Sequence, residues 1–175
     1  MFLCARDAPR RGTVPYAFFP QREKRSVRTG PLDTDMTETF RLKNEEDTME
    51  LGRSIAEKLQ AGDVLALRGD LGTGKTFLTR AIAQGLGVPS RISSPTFTIV
   101  QEHEGGRLPL YHFDVYRVSD EDELFEIGFY EYFKKGGVCV IEWADLIEDM
   151  LPEGTVFIDL ARGEEENERI CTVTW

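Results

Sequence analysis

Short apolar runs and amphipathic stretches follow one another along the chain, and they predict strands and helices in alternation. Apolar runs of strand length bounded by polar or glycine residues are typical of buried strands. The predicted strands are Thr39–Leu42, Val64–Gly69, two strands within Ser93–Arg117, a strand that ends at Glu142, Val156–Ala161 and Arg169–Trp175. Gly105 and Gly106 lie between the two strands of the third region, and this pair predicts an antiparallel hairpin.

Three amphipathic stretches predict helices between these strands. The first begins after Asn44, a possible N-cap with Asp47 three residues later, and Gly62 is its stop signal. The second runs from Lys75 to Leu86, with Gly87 as its C-cap. The third begins at Ser119 as N-cap and has an acidic first turn. Interleaved strands and helices predict an α/β fold with a mainly parallel central sheet and added antiparallel hairpin strands.

The apolar faces of the first two helices are regularly spaced, as burial against a sheet requires. The spacing is roughly helical on the first and forms one stripe on the second. The apolar residues are Met49, Ile55, Ala56 and Leu59 on the first helix, and Phe77, Leu78, Ala81, Ile82 and Leu86 on the second.

Charge divides the 175-residue chain into two regions. Residues 1–35 carry seven Lys or Arg and four acids, a balance of +3, so the net charge of −10 leaves −13 for residues 36–175. We therefore predict one folded domain from Met36 to Trp175, preceded by a disordered basic leader or by residues upstream of a misassigned start; a targeting segment is a weaker alternative. An acidic body disfavours direct binding to nucleic acid.

The cysteines and the apolar runs indicate the cellular compartment of the protein. Cys4, Cys139 and Cys171 are odd in number and widely separated, which indicates neither a disulfide framework nor a zinc site. No apolar stretch is long enough to span a membrane. The sequence predicts a cytoplasmic protein.

The chemistry is concentrated in the segment Gly69–Thr76, which fits G-x-x-x-x-G-K-[ST] at every fixed position. Glycines let backbone N–H groups approach phosphate oxygens, and the start of the following helix adds a positive dipole end. In this motif Lys75 reaches the β- and γ-phosphates and the Thr76 hydroxyl ligates Mg²⁺. A flexible glycine turn is the alternative, but the strand before the motif and the helix after it favour nucleotide binding.

Two carboxylates are candidates for the metal or the chemistry. Glu142 ends a buried apolar strand, where an acid is costly unless it is paired or binds a ligand. Asp114 lies in another strand. The alternative to a functional role is that it is a solvated strand residue or the partner of Arg117. His112 and Asp114 share one strand face, although a lone histidine is more often structural than catalytic. Spacing alone leaves open which acid takes the metal.

Four segments in this order resemble one family of proteins. They are GDLGTGKT, SSPTFTIVQEH, YHFDVYR and VIEWAD, and together they closely resemble the TsaE (YjeE) family of bacterial P-loop ATPases needed to make threonylcarbamoyladenosine in tRNA. The resemblance runs from about Thr39 to the C-terminus. It implies a three-layer, P-loop NTPase-like fold.

The resemblance also implies roles for individual residues. The phosphate-binding segment is Asp70, Leu71, Gly72, Thr73, Gly74, Lys75 and Thr76. Ser94 and Thr96 match a switch-like loop that faces the nucleotide. Asp114 matches an acid important for ATP hydrolysis, and Glu142 matches the Walker B carboxylate that acts on Mg²⁺ with Thr76. Trp143 matches the aromatic residue beside it.

Three further positions of the resemblance are less regular. Thr48 and Arg162 fall where the family places residues near the nucleotide base. Ala144 follows Trp143 where many members have proline, which leaves the carboxylate in place but makes the local turn uncertain.

The family implies a slow, partner-dependent ATPase that serves TsaB and TsaD type proteins, with tRNA contacted only through the complex. TsaD performs the transfer to adenosine 37, and ATP hydrolysis supports repeated cycles. The segment Leu124–Phe133 is either core or a docking surface for such a partner.

Three other functions share the glycine-rich loop. A small P-loop kinase would need an arginine-bearing lid, and the stretch after Arg117 is acidic instead. A GTPase would need an N/T-K-x-D element to read guanine, and the chain has none. A nucleotide-binding regulatory module without catalysis remains an alternative.

Overall fold

The computed structural model of the chain describes residues 36–175. The predicted basic leader, residues 1–35, lies outside the described residues. Among the residues described, no helix is long and apolar enough to cross a membrane.

The described chain forms seven strands, four α-helices and one 3₁₀ helix. The strands are β1 Thr37–Leu42, β2 Val64–Arg68, β3 Val100–His103, β4 Leu110–Asp114, β5 Val138–Glu142, β6 Val156–Arg162 and β7 Arg169–Thr174. The helices are α1 Glu45–Lys58, α2 Lys75–Gly85, α3 Glu121–Glu126, α4 Phe129–Tyr132 and the 3₁₀ helix Ala144–Met150. Each predicted strand is present; the two strands predicted within Ser93–Arg117 occupy only Val100–His103 and Leu110–Asp114.

All seven strands belong to one mixed sheet of order β1-β7-β6-β2-β5-β4-β3. The four adjacent strands β6, β2, β5 and β4 run parallel to one another. The other pairs are antiparallel, namely β3 with β4 at one edge, and β6 with β7 and β7 with β1 at the other. The predicted α/β class with a mainly parallel centre and an antiparallel hairpin is confirmed.

The sheet lies between two layers of helices, as strand β2 shows most simply. Its side chains alternate, because successive residues of a strand face opposite sides. Leu65 and Leu67 join the core cluster that contains residues of α1 and α2. Val64 and Ala66 join the cluster with α3, α4 and the 3₁₀ helix. The predicted three-layer arrangement is confirmed.

The first two helices begin and end where local chemistry favours it. The Asn44 side chain caps α1 by accepting a hydrogen bond from the backbone N–H of Asp47, at 2.9 Å. Helix α2 ends one residue before the predicted limit: Leu86 is its C-cap, and Gly87 follows with a φ of 76°.

The prediction of the third helix is wrong in two respects. Asp120, not Ser119, is the N-cap of α3, and its side chain accepts from the N–H of Asp122. The single predicted helix is also split into α3 and α4, because Gly128 has a φ of 71° between them. Leu124, Phe129 and Tyr132 are buried, so this segment contributes mainly to the core.

Candidate functional site

The glycine-rich loop Gly69–Thr76 connects β2 to α2 at the carboxyl end of the parallel strands. Gly69, Gly72 and Gly74 have φ values of 131°, 78° and 100°, which L side chains rarely adopt. A Cβ on Gly69 would also collide with the backbone carbonyl of Leu160. The sequence folds this way because these positions lack side chains, and the result is an open loop of backbone N–H groups.

Lys75, the first residue of α2, turns back into this loop. Its Nζ donates to the carbonyl oxygens of Gly69 and Asp70, at 2.5 and 2.9 Å, and lies 3.6 Å from the centre of the Trp143 ring. Only 5% of the residue is exposed. Burial lowers the pKa of this ammonium, and the nearby acids, Glu142 foremost, oppose the shift.

Glu142 ends β5 next to the start of α2. One carboxylate oxygen, Oε2, accepts from the Thr76 hydroxyl at 2.7 Å. The other, Oε1, is 2.7 Å from the Nε2 atom of His112 and 3.4 Å from the Thr79 hydroxyl. With 2% of the residue exposed, the carboxylate depends on these hydrogen bonds to offset its loss of hydration.

Asp114 ends β4 and is the second buried acid of the site. Oδ2 accepts from the hydroxyls of Ser94 and Thr96, the latter at 2.8 Å, and Oδ1 accepts from the N–H of Tyr116 at 3.1 Å. Only 3% of the residue is exposed. Asp114 is therefore neither a solvated strand residue nor a partner of Arg117, whose guanidinium lies over the Phe97 ring.

A cleft of about 460 Å³ brings most of the predicted site residues together. It lies between the glycine-rich loop and the ends of β4 and β5. Its lining consists of Leu71, Gly72, Gly74, Lys75, Thr76, Phe77, Ser94, Thr96, Asp114, Tyr116, Arg117, Glu142 and Trp143. The polar side chains of this lining carry two carboxylates, one ammonium, one guanidinium and four hydroxyls, one of them the Tyr116 phenol.

A second cavity, of about 600 Å³, lies on the other side of the loop. It shares Gly74 and Phe77 with the cleft. Its lining consists of Leu42, Lys43, Asn44, Glu45, Glu46, Thr48, Thr73, Gly74, Phe77, Leu160, Asn167 and Arg169. A molecule with one end on the loop could therefore extend to either side of it.

Some predicted residues stand apart from both cavities. Arg162 is exposed and donates to the carbonyl of Leu71 at 3.4 Å, so it touches the loop but lines neither space. Asp70 is exposed and contributes its carbonyl to Lys75. His112 is fully buried behind Glu142. Thr48 does line the larger cavity.

Sequence reasoning missed most of the residues that line the larger cavity, including Phe77, Asn167 and Arg169. Phe77 was assigned to the core stripe of α2, and its position at the junction of both spaces depends on how the helix begins. Asn167 lies in the turn between β6 and β7, where polar residues are ordinary, and Arg169 begins β7. No local pattern distinguishes these residues from solvated ones.

The turn after Glu142 forms with Ala144 at the position where the family resemblance implies proline. Trp143 has a φ of 64°, an uncommon value for a residue with a side chain, and the buried Ala144 begins the 3₁₀ helix. The Trp143 ring lies 4.6 Å from that of Tyr116, and it forms a wall of the cleft.

The donor groups suit magnesium with a phosphate ligand. Thr76 and Glu142 supply adjacent oxygens, and Mg²⁺ is commonly held by one or two protein oxygens together with substrate phosphates. Within residues 36–175 no group of three or more His, Cys, Asp or Glu could hold a metal by itself. The residues present therefore fit a metal that arrives with a nucleotide.

The three-layer fold, with a glycine-rich loop and a lysine between β2 and α2, defines an α/β protein of P-loop NTPase-like architecture. A family model described as "Threonylcarbamoyl adenosine biosynthesis protein TsaE" matches residues 42–171. The chain belongs to the TsaE family, as the resemblance of its motifs indicated.

Individual relatives agree with this assignment. The "tRNA threonylcarbamoyladenosine biosynthesis protein TsaE" of Bacillus subtilis is 48% identical over 130 residues, 74% of this chain and 81% of that protein. The protein of the same name from Treponema pallidum is 44% identical over 115 residues, 66% and 84%. The crystal structure of YdiB from Bacillus subtilis superposes with a TM-score of 0.69 at 40% identity, covering 82% of this chain and 88% of that one.

Proposed function

We propose that the chain is a Mg²⁺-dependent ATPase that supports threonylcarbamoyl transfer to adenosine 37 of tRNA by a complex of TsaB and TsaD type proteins. It acts in the cytoplasm, and it contacts tRNA only through that complex. The observation that carries the proposal is the hydrogen bond of 2.7 Å between Thr76 and Glu142 beside Lys75, at one end of a cleft that also contains Asp114.

Each group has a role that follows from its position. The N–H groups of the glycine-rich loop bind the phosphates, and Lys75 exchanges its bonds to Gly69 and Asp70 for phosphate oxygens. Thr76 and Glu142 would hold Mg²⁺, which would neutralise charge on the phosphates. Asp114 orients the attacking water, and the hydroxyls of Ser94 and Thr96 hold its carboxylate in place.

The larger cavity is proposed to receive the adenosine part of ATP. It borders Thr73 and Gly74 of the loop on the side away from Glu142, and Thr48 lies in its wall. Arg162 acts only through Leu71, because it is outside the cavity.

The partner is proposed to be protein rather than free RNA. Residues 36–175 carry a net charge of −13, which repels a phosphate backbone. The names of the relatives, which refer to tRNA threonylcarbamoyladenosine biosynthesis, support a role in that pathway.

Calorimetric titration with ATP, in the presence and absence of Mg²⁺, tests the nucleotide site. We expect Lys75→Ala to abolish ATP binding, because the remaining loop has no charge to offset that of the phosphates. Thr76→Val keeps the side-chain shape, and it should remove the gain in affinity that Mg²⁺ provides. The exposed Lys134→Ala is the matched control. Failure of the wild-type chain to bind ATP, or a preference for GTP, would refute the proposal.

Reconstitution with TsaB and TsaD type proteins and tRNA tests the cellular role. The expected result is a higher yield of the modified nucleoside when the wild-type chain and ATP are present, and no increase with Lys75→Ala. An equal yield with and without the wild-type chain would refute the role in the complex while leaving the ATPase proposal intact.

A further inference from the structure

The chain has two histidines, and each leaves one ring nitrogen without a hydrogen-bond partner. His103 lies in β3 and is 7% exposed, and His112 lies in β4 and is fully buried. Among the residues described, the buried side-chain nitrogen and oxygen atoms without a partner are His103 Nε2 and His112 Nδ1. Buried polar atoms are rarely left unpaired, so two such atoms together call for a physical explanation.

The pairing of β3 with β4 brings the two rings to one face of the sheet. His103 is opposite Leu110 in the antiparallel register, and Leu110 precedes His112 by two residues. His103 and His112 are therefore diagonal neighbours, a relationship within reach of ring side chains. Burial lowers the pKa of His103, and the neighbouring His112 ring lowers it further.

The other ring nitrogens already have partners, and these partners set the proton positions. In a neutral His112 ring, the hydrogen bond to the Glu142 carboxylate puts the proton on Nε2 and leaves Nδ1 as an acceptor. Ser90 lies 2.8 Å from His103 Nδ1, and when its hydroxyl donates to Nδ1 the proton of the neutral ring is on Nε2. The two unpaired atoms are then one donor and one acceptor.

We propose that Ser90, His103, His112 and Glu142 form one continuous chain of hydrogen bonds, closed between the two rings by one buried water that accepts from His103 Nε2 and donates to His112 Nδ1. His112 is a positioning residue that acts through Glu142. It occupies Oε1 of the carboxylate and leaves Oε2 for Thr76 and the cleft. This role rests on the proposed function, since it concerns the carboxylate that would hold Mg²⁺ with Thr76.

The proposed chain of hydrogen bonds also connects Glu142 to the segment that leads into the predicted switch loop. Ser90 is exposed and belongs to the segment that leads from α2 to Ser94, whose hydroxyl holds Asp114. The chain of hydrogen bonds therefore joins this segment to Glu142, and Ser94 joins it to Asp114. Glu142, through the two rings, and Asp114, directly, would then both be linked to side chains of one segment.

The proton positions can be measured without any nucleotide. Long-range ¹H–¹⁵N spectra of the full ¹⁵N-labelled chain distinguish the two neutral tautomers of each imidazole, and a His103→Gln variant assigns the signals. We expect both rings to carry the proton on Nε2, and Ser90→Ala to shift the His112 nitrogens as well as those of His103. Ser93→Ala, which changes another exposed serine of the segment, is the control. A proton on Nδ1 of either ring would contradict the proposed chain of hydrogen bonds. So would His112 nitrogen signals that do not shift in Ser90→Ala.

Metal affinity tests the positioning role. We expect His112→Phe to weaken the Mg²⁺ affinity of the ATP complex by about 10- to 100-fold, as loss of a group behind a metal ligand commonly does, with ATP affinity in EDTA unchanged. His112→Gln should restore much of the loss, because its amide N–H can donate to Glu142. Equal weakening with and without Mg²⁺, or no rescue by glutamine, would overturn the role.

Two further measurements distinguish a failure of the hydrogen-bond proposal from a failure of the proposed ATPase function. Circular dichroism shows whether His112→Phe folds; if it does not, the tautomers and the His112→Gln variant decide the proposal. If no form of the chain binds ATP, the proposed function fails. The chain of hydrogen bonds is then judged by the spectra alone.

Discussion

Glu142 and Asp114 illustrate how a single buried residue acquires a defined role. Each carboxylate ends a parallel strand and is almost fully buried, which is unfavourable unless its oxygens accept hydrogen bonds. Glu142 accepts from Thr76 beside the lysine of the loop, whereas Asp114 accepts from Ser94 and Thr96. Their partners therefore favour metal binding by Glu142 and water orientation by Asp114.

Replacing Asp114 distinguishes an ATPase from a binding module. We expect Asp114→Asn to lower the rate of ATP hydrolysis about 100-fold or more, because the amide cannot accept a proton from water. ATP affinity should be unchanged, since Asp114 has no contact with the glycine-rich loop in the hydrogen bonds described. Turnover and titration calorimetry measure the two quantities separately.

The exposed Asp149→Asn is the matched control for this experiment. Equal loss of turnover and of affinity in Asp114→Asn would support the alternative of a nucleotide-binding module without catalysis.

At the scale of elements, α1 and α2 approach each other closely through small residues. A Cβ added to Gly52 would overlap the Ala81 side chain, and one added to Gly85 would overlap that of Ala56. The contact lies along the second half of α2, and both helices pack on the same face of the sheet. A larger residue at the contact has no space without a shift of one helix.

We therefore expect Gly52→Ala to destabilise the protein, although alanine favours helices more than glycine does. Overpacking costs roughly 1–3 kcal/mol of the free energy of unfolding, which exceeds the gain of about 1 kcal/mol in helix propensity. Urea denaturation measures the difference. Ser54→Ala, at an exposed position of the same helix, is the control and should leave stability nearly unchanged. A Gly52→Ala variant as stable as the wild type would contradict the close packing.

The turn between β6 and β7 is held by one buried acid. The Glu168 carboxylate pairs with Arg41 of β1 and accepts from the N–H of Glu164 at 2.8 Å. The turn carries Asn167, which lines the larger cavity. The Arg41 hydrogen bond is the largest of the causes that lower the Glu168 pKa from 4.5 to about 2.

This depressed pKa predicts a specific pH dependence. Because the folded state holds the carboxylate ionised, Glu168 stabilises the protein above pH 4.5, and this contribution is lost as the pH falls toward about 2. Glu168→Gln should therefore lower the denaturation midpoint at pH 7 and have a smaller effect at pH 3. The exposed Glu166→Gln is the control. An effect of Glu168→Gln that is equal at both pH values would contradict the assignment.

At the scale of the whole molecule, the site lies where the sheet brings distant segments together. Strand β2 is central, with β5 on one side and β6 on the other, and β4 follows β5. The loops and residues after these parallel strands meet at one edge of the sheet, as is usual for ligand sites of α/β proteins. Hence one cleft receives the loop after β2, Asp114 from β4 and Glu142 from β5.

A truncated chain tests the predicted domain boundary. A chain that begins at Met36 should unfold cooperatively and bind ATP as the full chain does, because all of the elements and both core clusters described lie within residues 36–175. Thermal unfolding and calorimetric titration are the measurements. A chain that begins at Lys43 is the comparison; it lacks β1 and should be less stable, since β1 pairs with β7 along its whole length. Loss of folding in the Met36 chain would show the boundary to be wrong.

Local sequence pattern was sufficient for the glycine-rich loop, the strands and most helix ends. These features depend on residues a few positions apart, such as the glycines beside Lys75 or the cap of α1 by Asn44. The same pattern failed at α3 and α4, where Gly128 divides what periodicity predicts as one helix. The alternation of strands and helices also predicted the α/β class correctly.

Only the tertiary structure decided which side chains are partners. Thr76 and Glu142 are 66 residues apart, and Thr96 and Asp114 are 18 apart. Strand order and register bring such residues together, and neither is determined by local periodicity. The neighbouring rings of His103 and His112 and the lining of the larger cavity by Asn167 are decided in the same way. Hydrogen bonds across a sheet depend on this global arrangement because they join segments far apart in the chain.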